Sequence, residues 1–525
     1  MQVKLTQEQQ HVIDALENTD RLVVQAFAGT GKTTTLEAIA RAYADWHILY
    51  LAFNRSVAEK ARRRFPRNVD VFTTHGLAYQ AVRNELTLSE LRGDYRPLEL
   101  QHLFKEMSFR EAFAVAATFK AWCESDIEEL SEHNLREILR SNPLVERRLR
   151  ATLGPLGSWP FSEAHLVERV LLLYELMRKG LITPTHSFYL KYCQLNRDRL
   201  LPRYDLVLLD EAQDTNRVTL SLIEALGSRL VAVGDEHQQI YGFRGSLNAM
   251  HELKGALRLP LTQSWRLNES VTKLSNSLLG KFKGESLKIR AGHNISSQCK
   301  SLAFLSRTNA GLLFQVDVML QAGFTDVRFL RNVKELFELP LALMALRSFW
   351  KGKKESEKHI PERFRWLLSL TDPQSFEEYI AETHDTELEG AWKVVRVMGK
   401  RVLELKKALY ELPPPSSRAF ILSTVHTAKG LEWDRVVVLD DFPDLVELLS
   451  ESGFSKLNML HRILSDPALA RSFAHLVEEI NLIYVAFTRA RIRLECRSVN
   501  EFYVRQSVRS IDKMIEMYRK NHLSL

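Results

Sequence analysis

Cysteine is scarce. Four residues, Cys123, Cys193, Cys299 and Cys496, lie far apart in a chain of 525. No C-x-x-C pair exists, which argues against a zinc or iron–sulfur centre. Sparse single cysteines suit a reducing compartment, so a cytoplasmic location is expected. No apolar run approaches the roughly 18 residues a membrane helix needs. The polar start MQVKLTQEQQ lacks the apolar core of a signal peptide. No membrane partner is therefore expected. Internal repeats and long low-complexity tracts are also missing. Charge of one sign is only slightly in excess, at +7 net. That fits a polyanionic partner and equally fits a solvated basic surface. Hydrophobic residues at 45% and charged residues at 26% are ordinary globular values. The length implies several domains, since single cores rarely exceed about 250–300 residues.

The most informative segment is Gln25 to Thr35, QAFAGTGKTTT, directly after the apolar run Leu22-Val23-Val24. A strand, a glycine loop and a lysine form a phosphate cradle. Glycines let backbone N–H groups close around a phosphate, and the following helix points its positive dipole end at it. Lys32 is placed to reach the β- and γ-phosphates of ATP, and Thr33 to put a hydroxyl on Mg²⁺. The strict G-x-x-x-x-G-K-[ST] pattern fails at its first position, Ala26.

A second segment answers the first. Residues 204–214 read YDLVLLDEAQD. Leu206 to Leu209 make the continuous apolar run of a buried parallel strand. It delivers Asp210 and Glu211 to the strand's C-terminal end, where open α/β sheets bind ligands. Asp210 is expected to hold Mg²⁺ with Thr33. Glu211 is expected to orient or deprotonate the attacking water. The bland alternative, an acidic cap on a surface helix, is common for a DE pair in isolation.

Strand and helix patterns alternate at 5–17, 22–24, 48–53, 55–65 and 69–73, which predicts a parallel α/β sheet. The texture becomes helical from Leu77 to Arg203, and strands return at 204–210 and 229–233. Further strands are expected at 257–262, 301–305, 419–423 and 435–439, with a charged helical stretch ending at Pro413-Pro414-Pro415. The expected fold is α/β: two RecA-like P-loop parallel-sheet cores, each carrying a mostly helical insertion. Core 1A spans 1–76 and 204–256, with insertion 1B at 77–203. Core 2A spans 257–334 and 413–498, with a small insertion 2B at 335–412. A C-terminal helix is expected over 499–525.

With these motifs in order from Gln9 to Arg491, the chain resembles superfamily 1 DNA helicases of the UvrD/Rep type. AFAGTGKT, AFNRSVAEKA at 52–61, THSFYLKYCQL at 185–195 and GDEHQQIYGFRGS at 234–246 make it most similar to the F-box DNA helicase branch, although no F-box is found. The resemblance implies ATP and Mg²⁺ as cofactors, with Ala28, Gly29, Thr30, Gly31, Lys32, Thr33 and Thr34 lining the nucleotide pocket. Relatives often carry Arg where Thr34 stands. Gln9 matches the adenine-reading glutamine, although LTQEQQ alone is also an ordinary helix start. Gln238 matches the γ-phosphate sensor. Arg266 matches the motif IV arginine, and Trp265 replaces an adenine-stacking Tyr or Phe. Gly430 and Glu432 match motif V positions near the nucleotide, and Arg489 matches the second arginine finger.

The DNA track implied by the resemblance comprises Phe53, Asn54, Thr73, His75, Tyr241, Phe243, Thr424 and His426. Two readings stand for Tyr241, core residue or base-stacking platform. Arg62, Arg63, Arg64 and Arg67 are either part of the track or a solvated helix face. The implied activity is ATP-dependent 3′→5′ translocation on single-stranded DNA with unwinding at single/double-strand junctions, by a monomer. The short span between Asn309 and Ser423 keeps open a translocase that strips bound proteins without productive unwinding. A nucleotide-gated subunit with weak turnover also remains open. Too few residues follow Arg491 for a fused nuclease domain.

Overall fold

The computed structural model describes residues 4–242, 248–292, 298–383, 385–445 and 473–496. Among them the chain divides into two units. One comprises the described residues within 4–265, 346–386 and 473–478. The other comprises the described residues within 266–345, 387–445 and 479–496.

The first unit is built on six strands: β1 (Arg21–Ala26), β2 (Ile48–Ala52), β3 (Val69–Thr73), β4 (Tyr204–Asp210), β5 (Gly227–Gly234) and β6 (Leu257–Leu261). They lie in the order β3-β2-β4-β5-β1-β6, and every pairing is parallel. Parallel strands need crossover helices on the sheet faces, so their apolar runs are buried on both sides. Leu22, Val24 and Tyr50 pack on one face with Leu36 and Ile39, while Val23, Leu49, Leu51 and Leu209 fill the other. Helix α1 (Gln7–Ala15) precedes β1, α2 (Lys32–Ala42) follows it, and α3 (Arg55–Arg62) follows β2.

Between β3 and β4 the chain is helical. It runs through α4 (Thr74–Val82), α5 (Pro97–Leu103), α6 (Phe109–Glu124), α7 (Glu132–Arg140), α8 (Pro143–Leu153), α9 (Glu163–Arg178) and α10 (His186–Leu195). These helices bury a core of their own around Phe113, Trp122, Leu166, Leu173 and Phe188. Lys191 is fully buried there and donates to the Ser125 and Ile127 carbonyls at 3.2 and 2.5 Å, closing the C-terminal end of α6.

The second unit holds five parallel strands: β7 (Leu302–Ser306), β8 (Val327–Phe329), β9 (Phe420–Thr424), β10 (Trp433–Val438) and β11 (Ala490–Cys496), in the order β11-β10-β7-β9-β8. Two parallel-sheet cores are thus present, as the sequence implies.

Three expectations need correction. The strand expected to open the second core, 257–262, belongs to the first sheet. It pairs with β1 from Leu22↔Leu257 to Ala26↔Leu261. Composition cannot assign a strand to one sheet or the other. Here that edge of β1 is completed by the run that follows β5 after the short helix Ala249–Glu252. The stretch 335–412 is not one insertion of the second core, because Leu346–Thr386 groups with the first unit. Within that unit Arg96 pairs with Asp385 at 3.2 Å and lies over the Trp366 ring, and Phe109 packs against Tyr379. Two strands outside the expected set, the three-residue β8 and the seven-residue β11, form the two edges of the second sheet. The helix expected over 499–525 lies outside the described residues.

Candidate nucleotide site and nucleic-acid track

The loop between β1 and α2 turns on two glycines. Gly29 has φ 74° and Gly31 φ 84°, in the left-handed region that disfavours side chains. Gly31 is the N-cap of α2, so the first helical residues, Lys32 and Thr33, start at the loop's mouth. A Cβ on Gly31 would sit 3.0 Å from Gln9 Nε2. The loop's opposite wall is the turn after β6. Ser264 Oγ donates to the Ala28 carbonyl at 2.9 Å and the Trp265 N–H to the Gly29 carbonyl at 2.8 Å. Trp265 is 52% exposed, so its indole face is available beside the cradle.

The chain brings the sequence-separated acids to this loop. Lys32 Nζ lies 3.1 and 3.2 Å from the two carboxylate oxygens of Glu211, and Thr33 Oγ1 lies 3.3 Å from Asp210 Oδ2. Asp210 is only 5% exposed. Burial, then the neighbouring Glu211 charge, pushes its carboxyl above the usual range, against the hydrogen bond from Tyr50 and the charge of Lys32. Tyr50, wholly buried on β2, donates to Asp210 Oδ2 at 2.6 Å, and Glu211 N–H donates to Oδ1 at 2.9 Å. Glu211 has φ 52°, the one non-glycine among the described residues in the left-handed region. Strained backbone of this kind gathers at functional corners. A hydroxyl, two carboxylates and a lysine meeting a glycine loop suit a hard divalent cation and a phosphate chain.

Gln213 extends the group. Its Nε2 donates to Glu211 Oε2 at 2.5 Å, and its Oε1 accepts from Asp235 N–H at 3.0 Å. Asp235 Oδ2 in turn accepts from Gln238 Nε2 at 2.7 Å. The sequence marks neither Tyr50 nor Gln213 as a site residue. Tyr50 looked like one apolar residue of a strand. Gln213 stood in the DEAQD signature itself, but only the folded turn aims it back at Glu211.

Gln9 is 3% exposed and holds two bonds: Oε1 accepts from Thr6 N–H and Nε2 donates to Thr35 Oγ1, both at 3.0 Å. With Thr6 it forms a capping box, so the ordinary helix-start role is realised at the pocket wall. Several track residues also act as caps. Asn54, Thr73 and Thr424 each accept a hydrogen bond from a backbone N–H in the first turn of the helix they precede. Phe53 and Tyr241 stack at 5.2 Å between centroids, 25° from coplanar, and both stay partly exposed. His75 is exposed and meets Tyr189 and His186 edge-on. Arg62 donates to the Val71 carbonyl at 2.9 Å and Arg64 pairs with Glu37 at 2.8 Å, which gives both a structural use. Phe243 lies outside the described residues.

In the second unit, Arg266 and Glu432 pair with each other at 2.5 Å, and Arg491 lies 3.8 Å from Glu432. Gly430 has φ 84°. Arg489, expected to reach outward, is 1% exposed. Its Nε donates to Val485 O at 3.0 Å, Nη1 to Leu431 O and Nη2 to Thr488 Oγ1, both at 3.1 Å.

Comparison with known proteins gives concordant matches. The UvrD/REP helicase N-terminal domain model matches residues 5–254, and the UvrD-like helicase C-terminal domain model matches residues 345–500. The chain is 28% identical over 529 residues to F-box DNA helicase 1 of Gallus gallus, covering 93% of this chain and 48% of that protein. It is 28% identical over 548 residues to F-box DNA helicase protein 1 of Schizosaccharomyces pombe, covering 93% and 57%. DNA helicase II of Escherichia coli is 24% identical over 291 residues, covering 49% and 38%. The chain therefore spans about half the length of the two F-box relatives. No described helix is long and apolar enough to cross a membrane.

Proposed function

The chain belongs to the UvrD/REP helicase family, and from that premise we propose that it is an ATP-driven DNA helicase that translocates along single-stranded DNA, 3′→5′, and opens duplex at strand junctions. The observation that carries the reading is the convergence of Lys32, Thr33, Asp210 and Glu211 on one glycine loop. ATP binding requires Lys32 to exchange Glu211 for phosphate oxygens, which releases the Glu211 carboxylate to orient and deprotonate a water. Asp210 and Thr33 are the residues to hold Mg²⁺, which when bound neutralises charge on the phosphate oxygens. Trp265 supplies a stacking face for adenine, and Gln9 forms the wall beneath it.

Arg266 and Arg489 are assigned to the charge of the transferred phosphoryl. In that role Arg266 gives up Glu432, and Arg489 leaves its carbonyl nest. Phe53 and Tyr241 offer a sequence-tolerant stacking platform for bases. His75 and His426, with the helix starts capped by Asn54, Thr73 and Thr424, are assigned to the DNA backbone, which positions a strand without reading it.

The test is ATP hydrolysis with and without single-stranded DNA, wild type beside Glu211→Gln. Strong stimulation that the substitution abolishes is the expected result. Absence of stimulation in the wild type overturns the motor reading. Duplexes with a single 3′ or 5′ tail then read polarity, and a displacement assay with a DNA-bound protein separates unwinding from protein stripping.

A further inference from the structure

We propose that Gln213 is a positioning residue that ties the Glu211 carboxylate to the Gln238 turn, and so links DNA occupancy to hydrolysis. This inference rests on the reading of the site as a DNA-stimulated ATPase.

Three observations carry it. The first is the bridge: one side-chain amide, fully buried, donates to Glu211 Oε2 at 2.5 Å and accepts from Asp235 N–H at 3.0 Å. A side-chain amide carries a donor and an acceptor on one terminus and can do both at once. The second is the continuation. Asp235 accepts from Gln238 at 2.7 Å, and the same stretch reaches Tyr241, which stacks on Phe53. A displacement of Tyr241 by a base is thus connected to Glu211 through hydrogen-bonded groups and a short piece of backbone. The third is the room made for the bridge. A Cβ on Gly234 would collide with Gln213 Oε1 and stand 2.8 Å from Met250 Sδ, so the glycine at the end of β5 is what lets this amide lie where it does.

Glu211 needs such a tether. Its backbone sits at φ 52°, and its carboxylate faces Lys32 with the buried Asp210 alongside. When phosphate takes Lys32, the Gln213 amide still donates to Oε2. Gln213 touches no reacting atom itself, so its effect falls on turnover and its coupling rather than on ATP binding.

Two variants test this in the full chain. Gln213→Leu removes both bonds. Gln213→Glu keeps the acceptor for Asp235 N–H but replaces the donor to Glu211 with an oxygen. Hydrolysis is measured against ATP concentration, with and without single-stranded DNA. ATP retention is read by a fluorescent analogue, which also shows that the variants fold.

Loss of one charge-assisted bond predicts a fall in DNA-stimulated kcat of about ten- to a hundredfold in both variants. KM for ATP should stay within about twofold, and the factor of stimulation by DNA should shrink towards one. If Gln213 only fills space and satisfies Asp235, Gln213→Glu behaves as wild type, and the inference fails. It also fails if both variants keep the wild-type stimulation factor. Should the leucine variant not fold, the glutamate variant carries the decision alone. Lack of stimulation in the wild type is a different result, since it removes the motor reading and not merely the bridge.

Discussion

Replacing Tyr50 by Phe deletes one oxygen atom from a fully buried strand residue. The phenol donates to Asp210 Oδ2 at 2.6 Å, and its loss leaves that oxygen with the 3.3 Å bond from Thr33. A hydrogen bond to a charged group contributes about 1.5–3 kcal/mol. The bond favours the ionised carboxylate, so removing it raises an Asp210 pKa that burial and Glu211 already hold high. The stability Tyr50 lends is full where Asp210 is ionised and fades as pH falls through the folded-state pKa of that carboxyl. Thermal unfolding of the nucleotide-free protein at pH 8 and pH 5 reads this. Tyr50→Phe should melt several degrees below wild type at pH 8, and the gap should narrow at pH 5. The acidic limb of the kcat–pH profile should move to higher pH. Equal melting differences at both pH values, with an unmoved acidic limb, would refute the reasoning.

Other perturbations follow from the same geometry. Burial pushes the Lys191 ammonium down to about 8, so its stability contribution is present above the unfolded pKa near 10.5 and lost as pH falls through about 8. Lys191→Met, compared with wild type by melting at pH 7 and pH 10, should remove that pH-dependent difference; an unchanged dependence would exclude Lys191 as its source. Gly31→Ala forces a side chain into φ 84° and against Gln9, so ATP binding should weaken at least tenfold in a fluorescent-analogue titration, and retained affinity would contradict the tight fit. Phe53→Ala removes one face of the Phe53–Tyr241 stack, and stacking contributes about 1–3 kcal/mol per base. Single-strand affinity by fluorescence anisotropy should fall roughly fivefold or more, while unchanged affinity would move the DNA track elsewhere.

Much of the fold was legible because its determinants are local. The run Leu206 to Leu209 after a glycine phosphate loop reads as a buried strand delivering acids at its end, and the glycine pair at 29 and 31 admits few conformations. That is why the nucleotide loop, the acidic pair and most strands could be written down from residue types and order. The residues that failed to declare themselves depend on distant neighbours. Leu257–Leu261 looks like any other strand, and its place beside β1 rather than in the second sheet puts Trp265 against the loop. Asn54, Thr73 and Thr424 carry the same side chains whether they cap helices or meet a strand of DNA.

Order and chemistry along the chain therefore determined the class of protein, the phosphate cradle and the acids that answer it. The tertiary structure alone decided that Tyr50 and Gln213 hold those acids, that Arg489 turns inward, and that Leu346–Thr386 belongs with the first unit. The physical reason is range. Backbone conformation and apolar periodicity are set within a few residues. A hydrogen bond across 160 residues of chain, such as Tyr50 to Asp210, exists only after the sheet has brought β2 beside β4.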